Sequence, residues 1–279
     1  MKAFRINVDR CFGCYSCQIG CKDEHVSNDW MPYARPQPEW GQFWGKLVDY
    51  ERGTVGPLVE GTKKTRQSSV VRTDFVFVPC QHCVNAPCIT ACPANAISTR
   101  TDGMVWLDPN KCTGCYLCVD ACPYGCIYYN RAISQAQKCT GCAHLLDRSG
   151  WTYGPRCADN CPTEAILFGE ESSLDLAGTE TYKPEFGLTT RVKYLSLPKR
   201  FIAGTVYDPS TKEVVVGASV TLSGDGTGSM TTNGWGDFWF DKLGKGTFTV
   251  TISANGKTRT VSNISTVDAD KNLGDIALT

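Results

Sequence analysis

The placement of cysteine constrains this chain more than any other feature. All 17 cysteines fall between Cys11 and Cys161, and the last 118 residues hold none, so the chain is at least bipartite. Sixteen of them form four groups. Cys11, Cys14, Cys17 and Cys21 follow C-x2-C-x2-C-x3-C, and Cys112, Cys115, Cys118 and Cys122 repeat that spacing with Pro123 after the last. Cys80, Cys83, Cys88 and Cys92 use x2, x4 and x3 and lead into Pro93. The fourth group is split: Cys139 and Cys142 are followed, after fourteen residues, by Cys157, Cys161 and Pro162.

Three thiolates at x2 spacing can wrap one cubane on a tight turn. The fourth lies too far along the following helix to close the same cluster and reaches the neighbouring one. Groups of this kind therefore work in pairs, and sixteen ligands make four [4Fe-4S] clusters. Zinc is the competing reading, since C-x2-C pairs satisfy it and group four alone could form a knuckle. Three cysteines in a row at x2, occurring twice, exceed what tetrahedral zinc needs. Disulfides are the weakest reading, because cysteines this close rarely have suitable Cα geometry. Gly13, Gly114 and Gly141 sit between the first two cysteines of three groups, where a positive φ costs glycine little. His82 holds that position in group two, a departure expected to change the turn. Cys126 belongs to no group and reads as a buried small hydrophobe, with a spare ligand or redox thiol as the alternative.

The remaining composition mostly excludes. With 28 basic and 28 acidic residues the chain has no field to attract a phosphate backbone, so no nucleic acid partner is expected. MKAFRINVDR runs into the first cysteine group without an apolar core of a signal, and no apolar stretch approaches the ~18 residues of a membrane span. The expectation is a cytoplasmic protein with no membrane span of its own, or a periplasmic one exported with a signal-bearing partner. There is no G-x-G-x-x-G, P-loop, H-E-x-x-H or G-x-S-x-G to suggest nucleotide, flavin or hydrolytic chemistry. His25, His82 and His144 all lie near group cysteines, where hydrogen bonding to backbone or tuning of a cluster is the expected role and proton-coupled redox the alternative.

The order of the four groups, with the phrases CQHCVNAPC, CTGCYLCVDACPYG, KCTGCAHLLDRSG and CADNCPTEAI, resembles the iron-sulfur subunits of molybdopterin oxidoreductases of the dimethyl sulfoxide reductase type. The resemblance implies a duplicated ferredoxin-like fold in which groups one and four share two clusters, and groups two and three share the others. Cys11, Cys14, Cys17 and Cys161 would hold the first cluster, and Cys21, Cys139, Cys142 and Cys157 the second. Cys80, Cys83, Cys88 and Cys122 would hold the third, and Cys92, Cys112, Cys115 and Cys118 the fourth. It further implies a non-catalytic electron-transfer subunit in a heterodimer or larger complex. The large partner would bear molybdenum or tungsten bis-pterin, with the first two clusters nearer the pterin and the other two leading to an external electron carrier. The stretch from Cys21 to Thr54, CKDEHVSNDWMPYARPQPEWGQFWGKLVDYERGT, is similar to its counterpart in the small subunits of pyrogallol-phloroglucinol transhydroxylases, which also end in a small β-sandwich. That likeness implies a polyhydroxylated aromatic substrate. In that branch the third group is degraded and three clusters remain; here it is complete, which favours electron exchange with something outside. A respiratory reductase of sulfur or arsenic oxyanions and a free polyferredoxin remain as alternatives.

The fold class expected is α+β. Residues 1–170 would form the four-cluster domain, interrupted at 22–79 by a segment rich in aromatics and prolines. Trp30, Tyr33, Trp40, Phe43, Trp44 and Tyr50 lie there, suited either to docking on a catalytic subunit or to an Ω-like loop covering the clusters. Residues 171–200 read as a connector. From 201 to 279 the pattern changes to period-two alternation with frequent turn residues, predicting about seven short antiparallel strands. TTNGWGDFWFDKLGKGTFTVTI within it resembles collagen-binding B-type and carboxypeptidase regulatory-like domains. Asp225, Asp237 and Asp241 suit turns, and the module carries no catalytic constellation.

Overall fold

A computed structural model describes residues 1–54 and 70–279, so part of the inserted aromatic segment, 55–69, lies outside the described residues. The chain divides into one unit of Met1–Asp49 and Asp74–Leu197, and a second of Tyr50–Thr73 and Pro198–Thr279.

The first unit begins with β1 (Lys2–Asn7) and α1 (Ser16–His25), then the long paired strands β2 (Gly45–Thr54) and β3 (Val70–Pro79), whose far portions count with the second unit. Two similar passages follow. In the first, α2 (Pro87–Thr90) leads to the antiparallel pair β4 (Ile97–Thr99) and β5 (Val105–Leu107); in the second, α3 (Leu117–Ala121) leads to β6 (Ile127–Asn130) and β7 (Gln135–Lys138). The unit ends with α4 (Ala143–Leu146), α5 (Arg156–Asp159), β8 (Ile166–Glu170) and β9 (Val192–Leu195). β1 is central in a three-stranded sheet, antiparallel to β8 and parallel to β9. Val192 and Tyr194 of β9, within the stretch expected as a connector, are fully buried in that sheet.

Four of these helices have only four or five residues, too short to hold together on propensity alone. Packing orders them: α1 lies against α5, and α2 against α3, a repeated pairing. Gly20 permits the first contact, since a Cβ there would run into the Asn160 side-chain amide.

The Pro198–Thr279 part of the second unit contains seven strands: β10 (Arg200–Tyr207), β11 (Ser219–Gly224), β12 (Gly228–Thr231), β13 (Asp237–Leu243), β14 (Thr247–Ala254), β15 (Lys257–Ser265) and β16 (Lys271–Ala277). They form two sheets, β13-β10-β16 and β12-β11-β14-β15. Val220, Leu222, Phe238, Phe240, Phe248, Val250 and Ile252 alternate inward to fill a common core. At ~1.5–3 kcal/mol for each fully buried apolar side chain, this core accounts for the period-two pattern. One pairing differs from the expectation: β16 runs parallel to β10. β16 follows β15 but belongs to the other sheet, so it arrives by a crossover and its direction is not set by a hairpin.

Candidate metal centre

The cysteines take up positions that their local structure dictates. Cys17 and Cys21 lie one turn apart on α1, Cys118 lies on α3 with Cys122 at its C-terminal cap, Cys88 lies on α2, and Cys157 on α5. Preceding cysteines sit on the turns that feed these helices. Those turns use positive φ: Gly13, Gly114 and Gly141 have φ of 76°, 73° and 66°, as expected. At Gly114 the need is double, since a Cβ would run into the Ser134 carbonyl oxygen. His82 also adopts positive φ, 44°, so the turn keeps its hand despite the side chain. Tyr15 and Tyr116 repeat one another as left-handed caps of α1 and α3.

All sixteen grouped cysteines come together in four sets. Cys11, Cys14, Cys17 and Cys161 line one cavity, walled by Ile6, Leu47 and Phe77. Cys80, Cys83, Cys88 and Cys122 line another, and Cys92, Cys112, Cys115 and Cys118 a third. Cys21, Cys139, Cys142 and Cys157 are all buried, and beside burial Cys139 and Cys142 push the Cys21 thiol up while Cys142, Cys21 and Cys139 push up Cys157. Among the described residues no three His, Cys, Asp or Glu side chains close on one ion-sized point.

Burial is the main force on these thiols. It pushes Cys17, Cys83 and Cys118 up to about 12 and Cys88 and Cys139 up to about 11, with neighbouring thiols adding to the shift. Four free thiolates in such a place would be unstable, and iron replacing their protons relieves the cost. Backbone amides already point at sulfur: Gly141 N–H donates to Cys139 Sγ and Ala96 N–H to Cys92 Sγ, each at 3.3 Å. Apolar walls, unpaired thiols and amide donors fit iron-sulfur clusters.

Neighbouring sets also act on one another through charge. Cys157 of the second set feels Cys17 of the first, Cys139 of the second feels Cys80 of the third, and Cys118 of the fourth feels Cys88 of the third. Cys14 and Cys115, in the first and last sets, are exposed.

Cys126 is buried and donates weakly to the Pro79 and Tyr124 carbonyls at 3.4 and 3.5 Å, as a small hydrophobe would. His25 donates from Nδ1 to the Cys21 carbonyl at 2.9 Å, and burial lowers its pKa to about 4. His144 lies stacked on Trp30, with its Nε2 3.0 Å from Glu24 Oε1. The aromatic segment turns largely inward. Trp44 is buried beside His25, and Tyr33 donates to Asp147 at 2.7 Å, whereas Trp40 stays 82% exposed. These contacts favour the covering loop over docking for Trp30, Tyr33 and Trp44, and leave Trp40 free for it.

Sequence reasoning missed Lys138 and Glu24, both buried among the cysteines.

No helix among the described residues is long and apolar enough to cross a membrane. A family model described as a 4Fe-4S dicluster domain matches residues 71–171, and one described as a carboxypeptidase regulatory-like domain matches residues 202–279. The chain is 38% identical over 267 residues to the pyrogallol hydroxytransferase small subunit of Pelobacter acidigallici, covering 90% of each. It is 30% identical over 210 residues to a subunit of the tetrathionate reductase of Salmonella typhimurium, covering 72% of this chain and 74% of that one. Against a subunit of the anaerobic dimethyl sulfoxide reductase of Escherichia coli it is 32% identical over 171 residues, covering 61% of this chain and 74% of the relative.

Proposed function

Because the chain belongs to the iron-sulfur electron-transfer subunits of the dimethyl sulfoxide reductase-type molybdopterin oxidoreductases, we propose that it carries four [4Fe-4S] clusters in line. Through them it would relay electrons between a large subunit bearing molybdenum or tungsten pterin and an external carrier. The observation that carries this reading is the gathering of the sixteen cysteines into four sets whose neighbours succeed one another from Cys14 to Cys115. When bound, the clusters supply one-electron transfer and nothing more. The protein's share is to anchor them through thiolates, aim amides at their sulfurs and exclude water with the apolar walls. Phe12 and Ile19 near the first set, and Tyr116 and Leu117 near the last, are exposed and give apolar surface at each end.

The partner's substrate is, on this reading, a polyhydroxylated aromatic ring undergoing hydroxyl transfer, hydroxylation or dehydroxylation. Support comes from the relative at 38% identity, whose name states pyrogallol. The complete third group, which builds the fourth set with Cys92, favours net electron exchange over a closed transfer. The β-sandwich serves as a structural or docking module. Purifying the chain together with its large subunit tests these points. About sixteen irons per chain and electron uptake coupled to turnover of a polyphenol are expected. Zinc in place of iron overturns the cluster reading, and turnover only of tetrathionate or a sulfoxide overturns the substrate.

A further inference from the structure

We propose that Lys138 and His82 form a built-in bridge between the second and third thiol sets, with the Lys138 charge raising the reduction potential of both clusters there. The proposal rests on the four-cluster reading.

Lys138 ends β7 and is 1% exposed. Its ammonium has three protons to donate. Two of them go to the Val105 carbonyl and to the Cys139 carbonyl at 2.7 Å. An ammonium this deep is costly unless anions compensate it. With clusters bound, the thiolates of the second and third sets would supply those anions. The ammonium stands between Val105, which lines the third cavity, and Cys139 of the second set, so one positive charge faces two clusters. Reduction adds a negative charge to a cluster, and a fixed cation beside it stabilises that state. The first and fourth sets lie beyond this contact and gain less.

His82 makes the same connection by a second route. Its backbone lies between Cys80 and Cys83 of the third set. Its ring Nδ1 accepts the Val105 N–H at 3.0 Å, which leaves the proton of the neutral ring on Nε2. Nε2 stands 3.6 Å from Cys139 Sγ in the second set. Val105 thus organises both arms, its N–H fixing the histidine tautomer and its carbonyl holding the lysine.

The test is a redox titration followed by electron paramagnetic resonance, on the complex with its large subunit, with iron counted in each variant. In Lys138→Met, two of four one-electron couples should fall by about a tenfold change in the reduced-to-oxidised ratio, ~59 mV. The other two should hold, and Lys138→Arg should restore much of the shift. No movement, or equal movement of all four, overturns the proposal. Fewer than four couples in the wild type overturns the four-cluster reading instead. Should Lys138→Met lose iron, wild-type protein carrying 15N-lysine and 15N-histidine decides the matter by pulsed resonance. A lysine and a histidine nitrogen coupled to the reduced clusters are expected, and absence of the lysine coupling overturns the bridge.

Discussion

Arg156 Nε lies 2.5 Å from Glu24 Oε2, clamping the first residue of α5 to the last turn of α1. His144 on α4 takes the other carboxylate oxygen. These three helices bring Cys17, Cys21, Cys142 and Cys157 to the first two sets, so the clamp fixes ligand positions without being a ligand. Burial alone would raise the Glu24 pKa, but Arg156 and His144 outweigh it and hold the carboxyl below its usual range.

A depressed carboxylate contributes stability that is fully present above its ordinary pKa of ~4.3 and is lost as pH falls through the lowered folded value. Glu24→Gln should therefore cost about 2 kcal/mol at pH 7 and flatten the acid limb of the stability curve. Iron release against denaturant at neutral and acid pH reads both effects. An unchanged midpoint at pH 7 would remove the clamp from the account.

Cys126→Ser should leave the iron content unchanged and cost about 1 kcal/mol, because the hydroxyl can still donate to Pro79 or Tyr124. Cys161→Ser should remove or alter one cluster. Loss of four irons from the Cys126 variant would show that the ligand assignment is wrong.

Gly114→Ala forces a side chain into left-handed backbone and against the Ser134 carbonyl. The cost should be about 2–3 kcal/mol, felt at the fourth set, which contains Cys112 and Cys115. The resonance signal of one cluster should broaden or vanish with the other three intact; four unaltered signals would contradict the geometry.

Phe238→Ala opens a hole in the core of the second unit, where Phe238 is 2% exposed. It should destabilise that unit by about 3–5 kcal/mol, seen as an earlier transition in calorimetry. The iron count should not change. Loss of iron from this variant would mean that the sandwich supports the clusters.

The gathering of the cysteines was legible in their spacing, because a metal-binding turn leaves its period in the sequence. The sandwich was legible too, since alternation reports which face is buried. The left-handed backbone at His82 was not, because a non-glycine side chain carries no local sign of a positive φ. Lys138 was hidden for a similar reason: nothing local distinguishes a lysine compensated by remote Cys80 and Cys88 from one in water. The aromatic segment read as a docking surface because tryptophans serve interfaces and interiors equally well, and only packing separates Trp44 from Trp40. The direction of β16 depended on a crossover that no turn motif records.

The cavity shared by Cys11, Cys14, Cys17 and Cys161 sets a timetable for the ribosome. Its first three thiols emerge early, yet their fourth wall cannot exist until residue 161 has been made. The third and fourth sets, spanning Cys80 to Cys122, can close while the remainder is still being synthesised. The centre of the chain can therefore be completed before its beginning, and the earliest thiols have the longest wait for a home.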